Sequence, residues 1–165
     1  MNGCAPSVSA RLAMILLGAW LGAAVFFSAV VAPAAFRVLP SREMAGALVG
    51  AMLPYVFIAG TVIGIAAAAL RFGEPSGARR TLGVATGAGA ALCCAVGQYL
   101  GHRIDALRAG LTVPLDSLPA ANAAREAFGR LHASSVVVLG VAMVFATVAL
   151  VVAARGKPVA RTELA

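Results

Sequence analysis

The residues of this chain that could bind a ligand are mainly arginines, joined by one histidine, one serine and one tryptophan. They flank the end of the third apolar run and the start of the fourth, and the tryptophan lies within the first. Arginine recognises phosphate and carboxylate through paired hydrogen bonds, so the pattern predicts one pocket for an anionic headgroup or a small anion. The alternative is that these arginines only reach towards a membrane interface. The candidates are Trp20, Arg103, Arg108, Arg130, His132 and Ser135.

Two histidines are the next candidates, because imidazole can hold a metal ion or a haem. His102 ends the third apolar run and His132 precedes the fourth, so the two rings could approach each other. No further donor follows at metal-ligand spacing, and the adjacent thiols Cys93 and Cys94 lie about 13 Å deeper along the third run. We predict free thiols, no metal and no other cofactor. Cys4 follows no apolar leader and is not predicted to carry a lipid.

No catalytic constellation is visible. His132 and Ser135 lie three residues apart on one helical face, but a hydrolase would also need an orienting group and an oxyanion hole. Gly87 and Gly89 open a dinucleotide fingerprint only superficially, since Leu92 takes the place of the third glycine and no strand precedes them. We therefore predict that the protein is not an enzyme.

Four apolar runs position these residues. A bilayer core about 30 Å thick needs about 20 helical residues, and each run approaches or reaches that length. The chain of 165 residues is 61% hydrophobic and 12% charged, against about 25% charged in soluble domains, and its mean hydropathy is +0.94. We predict an all-α polytopic membrane protein, a single four-transmembrane-helix bundle over residues 1–165. The spans are predicted at 12–31, 53–70, 81–101 and 136–153, with amphipathic extensions at 41–52 and 120–131.

Local signals predict where the helices begin and end. Pro33 should end the first helix, because proline disfavours helix in the residue before it. Ser41 should cap the second helix, which Pro54 should divide by a kink. Gly110 should end the third helix, and Ser117 is placed to cap the next helical segment.

The third run consists mostly of small residues, which suit a helix buried among other helices. Gly83 and Gly87 lie four apart on one face, and Gly97 follows on the same helix. Trp20 lies mid-span, so we expect it to face the bundle with its N–H bonded to a carbonyl. Further glycine pairs at a spacing of four are Gly18 with Gly22 and Gly60 with Gly64.

Charge excludes some classes of function. The net charge of +7 comes from basic residues at the ends of the apolar runs, where they meet headgroups, so we predict the lipid bilayer and no nucleic acid as partner. No ionisable residue lies mid-span, which argues against a proton-coupled carrier. Asp105 and Arg108, three apart, are placed to pair. The favoured function is a non-enzymatic membrane component, an accessory or homo-oligomeric subunit.

Two alternatives stay open. One is a small-molecule or metal permeation or resistance protein that acts as an oligomer, because four short helices barely enclose a pathway alone. The other is a haem- or metal-binding redox subunit built on His102 and His132.

Five short segments stand in a characteristic order along the chain. They are AWLG at 19–22, VAPAAFRVL at 31–39, AGALVG at 45–50, RIDALR at 103–108 and FGRLH at 128–132, followed by Ser135. Together they resemble one family of small bacterial membrane proteins, the domain-of-unknown-function family 4149, which is related to transmembrane-protein-205-like proteins. The resemblance implies four transmembrane helices and no established activity. His102 stands where the family often has proline, and Leu139 where an asparagine often follows.

Orientation follows from the basic residues, which are more numerous on the cytoplasmic side. With four spans, both termini and the 72–80 loop share one side, which carries seven basic residues against six on the other. We therefore expect a multi-pass protein of the bacterial inner membrane with both termini in the cytoplasm. The seven are Arg11, Arg71, Arg79, Arg80, Arg155, Lys157 and Arg161; the six are Arg37, Arg42, Arg103, Arg108, Arg125 and Arg130.

A reporter that is active only in the periplasm tests this orientation. Fused after Arg161 it should be silent, and inserted near Pro114 it should be active. A reporter active only in the cytoplasm should give the opposite result at both positions. If the periplasmic reporter is active after Arg161 and silent at Pro114, the orientation is wrong.

Overall fold

Four long helices make up nearly all of the structure, a computed structural model that describes residues 7–154. Each is long and apolar enough to cross a membrane, and the described residues contain no strand. The predicted all-α four-helix membrane fold is confirmed. Cys4, Arg155, Lys157 and Arg161 lie outside the described residues. The helices are α1 (Val8–Val38), α2 (Arg42–Phe72), α3 (Ala78–Ala109) and α4 (Ala123–Ala154).

The first helix does not end at Pro33, so that prediction was wrong. One wide turn, Phe27–Val31, precedes the proline, and the N–H of Ala32 bonds to the carbonyl of Phe27, five residues earlier. Proline lacks an N–H and its ring clashes with the carbonyl four residues back, and a π turn changes the local hydrogen-bond register. The helix therefore continues past Pro33 to Val38.

The second helix begins and ends close to where the sequence predicted, since the pattern indicated a continuous helix from Ser41 to Arg71. The Oγ of Ser41 accepts a hydrogen bond from the backbone N–H of Met44 at 3.1 Å, which confirms the cap. The helix then runs as one α-helix through Pro54 to Phe72. Pro54 therefore lies inside one helix and does not end it.

The third connection also differs from its prediction in one respect. Gly110 follows the last residue of α3 as expected. Ser117 does not cap α4; its Oγ donates to the carbonyl of Pro114 at 2.6 Å within a short turn. The cap is Asn122, whose Oδ1 accepts from the N–H of Ala124 at 2.9 Å.

The helices pack as a ring. α3 contacts α2 and α4 most extensively, and α1 contacts the same two helices from the opposite side. α1 and α3 are therefore diagonal partners, as are α2 and α4. Of the apolar stretches, that of α3 is the most buried, with 39% of its residues inside the protein against 17–33% for the others, as its small residues predicted.

Glycines bring α2 and α3 into backbone contact. A Cβ atom added at Gly64 would lie 2.8 Å from the carbonyl oxygen of Gly87, and one added at Gly87 would lie 2.9 Å from the backbone nitrogen of Ala68. Both distances are shorter than real Cβ contacts, so only glycine fits. The pair in α1 behaves differently, since a Cβ at Gly22 would meet nothing within 4 Å and one at Gly18 would only touch Leu150 at 4.0 Å.

Trp20 packs in the centre of the bundle, as predicted. Only 4% of its surface is exposed, and its Nε1 donates to the carbonyl of Val56 at 2.9 Å. A Cβ atom at Gly60 would lie 2.6 Å from the ring of Trp20 and 2.5 Å from the Sγ of Cys94, so this glycine leaves the space that both side chains occupy. Cys93 and Cys94 are both free thiols. This layer closes the middle of the bundle.

Gly97→Leu tests how much the fold depends on the α2–α3 contact. A side chain at this position would overlap the buried ring of Phe57, and overpacking of a core typically costs about 1–3 kcal/mol. We expect a lower midpoint of thermal unfolding in detergent. Gly22→Leu is the matched control, because a Cβ there meets no neighbour within 4 Å. Equal midpoints for the two variants would show that α3 is not tightly packed.

Candidate functional site

A cavity of about 550 Å³ opens at the end of the bundle opposite the α2–α3 turn. Its walls are the first half of α2, the last part of α3, the start of α4 and the turn at 111–116. α1 contributes only Phe36, so three helices rather than four enclose the space. We call this space the end cavity.

The floor of the end cavity is apolar. It is formed by Leu53, Pro54 and Phe57 of α2, and the ring of Phe57 is buried against Gly97 of α3. Trp20 packs with this core from α1 and does not line the cavity. A ligand in the end cavity would therefore meet hydrocarbon at its inner end.

Arg108 is the half-buried charge of the end cavity. Its guanidinium carbon lies 5.0 Å from the centre of the Phe128 ring. A Cβ atom added at Gly46 would lie 3.3 Å from Nη2, and one added at Gly50 would lie 3.5 Å from Nη1. The guanidinium thus packs beside Gly46, where a Cβ would be tight, and beside Gly50, where a Cβ would make an ordinary contact. The aromatic face of Phe128 covers it from α4.

This guanidinium lacks a polar partner among the residues that the structure describes. Within residues 7–154, Arg108 makes no hydrogen bond and has no carboxylate oxygen within 4.0 Å. The expected pairing with Asp105 does not form. A guanidinium carries five N–H donors that match the geometry of carboxylate and phosphate. Arg108 is therefore available to an anion that enters the cavity.

The remaining charges around the end cavity lie at its mouth. The lining also contains Arg42 and the carboxylates of Glu43, Asp105 and Asp116, and all four residues are exposed. Interactions among exposed charges are screened by salt, whereas partly buried ones are screened less. Arg108 is therefore the charge of the lining that solvent screens least, and the whole lining carries two guanidiniums and three carboxylates.

His132 and Ser135 lie on the α4 wall. The His132 ring stacks on Phe128, with ring centres 5.8 Å apart and planes within 7°. The buried Oγ of Ser135 donates to the main-chain carbonyl of His132 at 2.8 Å, not to its imidazole. Because the hydroxyl is held by its own helix, the two side chains do not form a nucleophile–base pair.

A buried oxygen on the α3 wall has no partner. Nε2 of Gln98 lies 3.3 Å from Nε2 of His102, while Oε1 of Gln98 is buried with no hydrogen bond among the described residues. A buried acceptor left unpaired costs about 1–3 kcal/mol. The cavity has room for a water molecule or a ligand hydroxyl, either of which would remove that cost.

The structure divides the six residues that the sequence grouped into one pocket. Arg108, His132 and Ser135 line the end cavity, whereas Arg103 and Arg130 line a separate groove on the outer face of α3 and α4. Trp20 belongs to the core. Helical phase could have separated the arginines, because residues five apart point about 140° away from each other.

A polar cluster at the opposite end of the bundle was missed. Arg71 is only 6% exposed, and its Nη1 lies 3.0 Å from Oε1 of Glu74. The same oxygen accepts from Oγ of Ser7 at 3.0 Å and of Ser9 at 3.4 Å. The cluster ties the start of α1 to the α2–α3 turn, and Gly83 leaves the space that Arg71 fills. The sequence signal was an arginine and a glutamate three apart at a helix end.

Comparison with known families identifies the family of this chain. The family model described as Domain of unknown function (DUF4149) matches residues 15–113, which is more than half of the chain. The chain belongs to this family. The DUF4149 match includes Arg71 and Arg108 and ends before Phe128 and His132. No curated protein and no solved structure matches the chain.

Glu74→Gln tests the polar cluster around Arg71. The substitution keeps the shape of the side chain but leaves the buried guanidinium without its counter-charge, so we expect a loss of roughly 2–4 kcal/mol in stability. Glu126→Gln is the control, because it removes the exposed pair Glu126–Arg130, whose side chains are 56% and 74% exposed. That loss should stay below about 1 kcal/mol. Thermal unfolding in detergent measures both, and equal effects would mean that the Arg71 cluster adds no stability.

Proposed function

We propose that this protein is a non-enzymatic component of the bacterial inner membrane that binds a single-chain anionic amphiphile in the end cavity. The observation that carries the proposal is the half-buried guanidinium of Arg108, which has no polar partner among the described residues and lies above an apolar floor. The ligand would place a carboxylate or phosphate at Arg108 and its hydrocarbon chain against Phe57.

The dimensions of the end cavity suit such a ligand. Arg108 and Gln98 are ten residues apart on α3, which corresponds to about 15 Å along a helix. Gln98 lies next to Gly97, which packs on the floor residue Phe57. An elongated molecule could thus run from Arg108 to the floor and pack its hydrocarbon chain against Leu53 and Phe57.

Charge supports an anionic head on this ligand. A charge-assisted hydrogen bond contributes about 1.5–3 kcal/mol, more than a neutral one, and partial burial protects Arg108 from screening. The aromatic face of Phe128 contributes a cation–π interaction with the guanidinium, which holds it in place without using its N–H donors. Those donors stay available for the ligand.

The geometry favours binding over permeation through one bundle. Below the end cavity the core is closed by Leu17, Trp20 and Phe57, each at most 4% exposed. A permeation pathway would have to pass between copies of the chain in an oligomer, and the mass of the protein in mild detergent tests that alternative.

Binding is also favoured over catalysis. The Ser135 hydroxyl is bonded into its own helix, and no group of three or more His, Cys, Asp or Glu residues that could hold a metal ion occurs in the described part of the chain. An absorption spectrum of the purified protein tests the haem alternative.

The orientation of the protein in the membrane decides which side the end cavity faces. The end cavity lies at the end where α1 joins α2 and α3 joins α4. If both termini are cytoplasmic, this end faces the periplasm, so the ligand would enter from the outer leaflet of the inner membrane. We propose this orientation on the arginine and lysine bias along the chain.

Arg108→Gln tests the proposed ligand. Trp20, the single tryptophan of the chain, packs in the core with Phe57, and dibrominated stearate is a carboxylate probe that quenches tryptophan emission. We expect saturable quenching in the wild type. In Arg108→Gln the dissociation constant for the stearate should rise by about tenfold or more, because a charge-assisted hydrogen bond is lost. Dibrominated stearyl alcohol, which is uncharged, should bind both proteins weakly and equally.

Arg37→Gln is the matched control for this experiment. Arg37 is an exposed arginine at the same end of the bundle and lines neither the end cavity nor the outer groove, so its variant should bind stearate like the wild type. Unchanged stearate affinity in Arg108→Gln would contradict the proposal. Equal affinity of the wild type for the acid and the alcohol would also contradict it.

A further inference from the structure

A second surface at the same end of the bundle carries two arginines that the end cavity does not use. A groove of about 480 Å³ runs between α3 and α4 on their outer face. Its polar residues are Arg103, Arg130 and Ser134, and Leu107 and Leu131 form its apolar floor. The outer groove and the end cavity share no lining residue, so the two sites are independent.

Most donors of the two arginines are available to a ligand. Arg103 donates one hydrogen bond from Nη1 to the hydroxyl of Tyr99 at 2.9 Å. Arg130 lies 3.8 Å from a carboxylate oxygen of Glu126, and both side chains are largely exposed. Such an exposed ion pair is weak, so an anion placed between the two arginines would compete with it.

An apolar strip continues from the outer groove towards the middle of the membrane. On α3, Tyr99 and Val96 follow Arg103 at helical spacing, and on α4, Val137 and Val141 follow Ser134. Their exposed fractions are 57%, 40%, 64% and 41% in that order. Residues three and four apart share one helical face, so the strip lies directly below the arginines. Hydrocarbon chains would cover this surface.

We propose that the outer groove binds an anionic phospholipid, with the phosphate between Arg103 and Arg130 and the acyl chains along the strip. Arginine suits this role because its planar group bonds phosphate through two donors. A single snorkelling arginine would reach any headgroup. Here two arginines from different helices flank one apolar floor, beside the Ser134 hydroxyl. The adjoining strip favours a lipid over free phosphate.

Native mass spectrometry of the delipidated protein in detergent measures this binding. Phosphatidylglycerol should bind more tightly than phosphatidylcholine of the same chains. The double variant Arg103→Gln/Arg130→Gln should bind phosphatidylglycerol about 30-fold more weakly, because a basic residue near an anionic surface contributes roughly fivefold. An unchanged affinity would overturn the proposal, as would equal binding of the two lipids by the wild type.

The control Arg37→Gln/Arg125→Gln removes two exposed arginines from the same end of the bundle, and neither lines the outer groove. It should retain the affinity for phosphatidylglycerol. A loss of affinity equal to that of the groove variant would show that binding depends on total surface charge, and it would overturn the proposal. Tyr99→Phe removes the bond to Arg103 but keeps the charge, so it should also bind. If the groove double variant fails to fold, Arg130→Gln alone gives the test, with about fivefold weaker binding expected.

Two further measurements separate this site from other anion sites. Arg108→Gln should retain phosphatidylglycerol binding, because Arg108 lines only the end cavity; a loss there would move the lipid to the end cavity. Inorganic phosphate at millimolar concentration should not displace the lipid, since it cannot cover the apolar strip. Displacement by phosphate would show a simple anion site and overturn the proposal.

Discussion

The backbone contact between α2 and α3 is the constraint on which the rest of the structure depends. Gly64 and Gly87 let the two helices touch without intervening side chains. In a membrane, no difference in hydrophobicity between lipid and side chains drives helices together, so close packing has to supply the attraction. The same contact positions Gly60 beside Trp20 and Gly97 beside Phe57. The central layer of the bundle, and the floor of the end cavity above it, follow from these glycines.

The two ends of the bundle treat a half-buried or buried arginine in opposite ways. At one end Gly83 admits Arg71, which pairs with Glu74, and two serines complete the cluster. At the other end Arg108 packs beside Gly46 and Gly50, and no carboxylate or carbonyl accepts from it among the described residues. A fully buried charge without a partner is costly. Arg108 avoids that cost because it stays accessible through the end cavity. One end of the bundle is therefore closed around its arginine, and the other end leaves its arginine open to the cavity.

The two proposed anion sites lie at the same end of the bundle and use opposite faces of α3 and α4. The end cavity faces inward between three helices, and the outer groove faces outward between two of them. A phospholipid held in the outer groove would lie against the back of the α3 and α4 segments that wall the end cavity. Because the two sites share no lining residue, each is expected to bind its ligand without the other.

Much of the fold was predictable from the sequence because lipid imposes strong rules. Four uninterrupted apolar runs require four helices, the small residues of α3 predicted its burial, and a mid-span tryptophan predicted the bond from Trp20 to a carbonyl. Capping chemistry is local, so Ser41 and Gly110 were found as helix boundaries. The sequence by itself thus determined that the helices lie in lipid, how many there are, and where most of them begin and end.

Tertiary structure decided the rest, because it depends on register and on distant neighbours. Helix α1 continues past Pro33 because a π turn precedes the proline. The propensities of single residues do not predict such a turn. Arg103 and Arg108 are near in sequence but face different spaces, since five residues rotate a side chain to another helical face. Arg108 faced Phe128 rather than Asp105, and the Arg71 cluster needed Ser7 and Ser9 from a distant helix start. The types of the site residues came from the sequence, but only the packing of four helices determined which of them share a cavity.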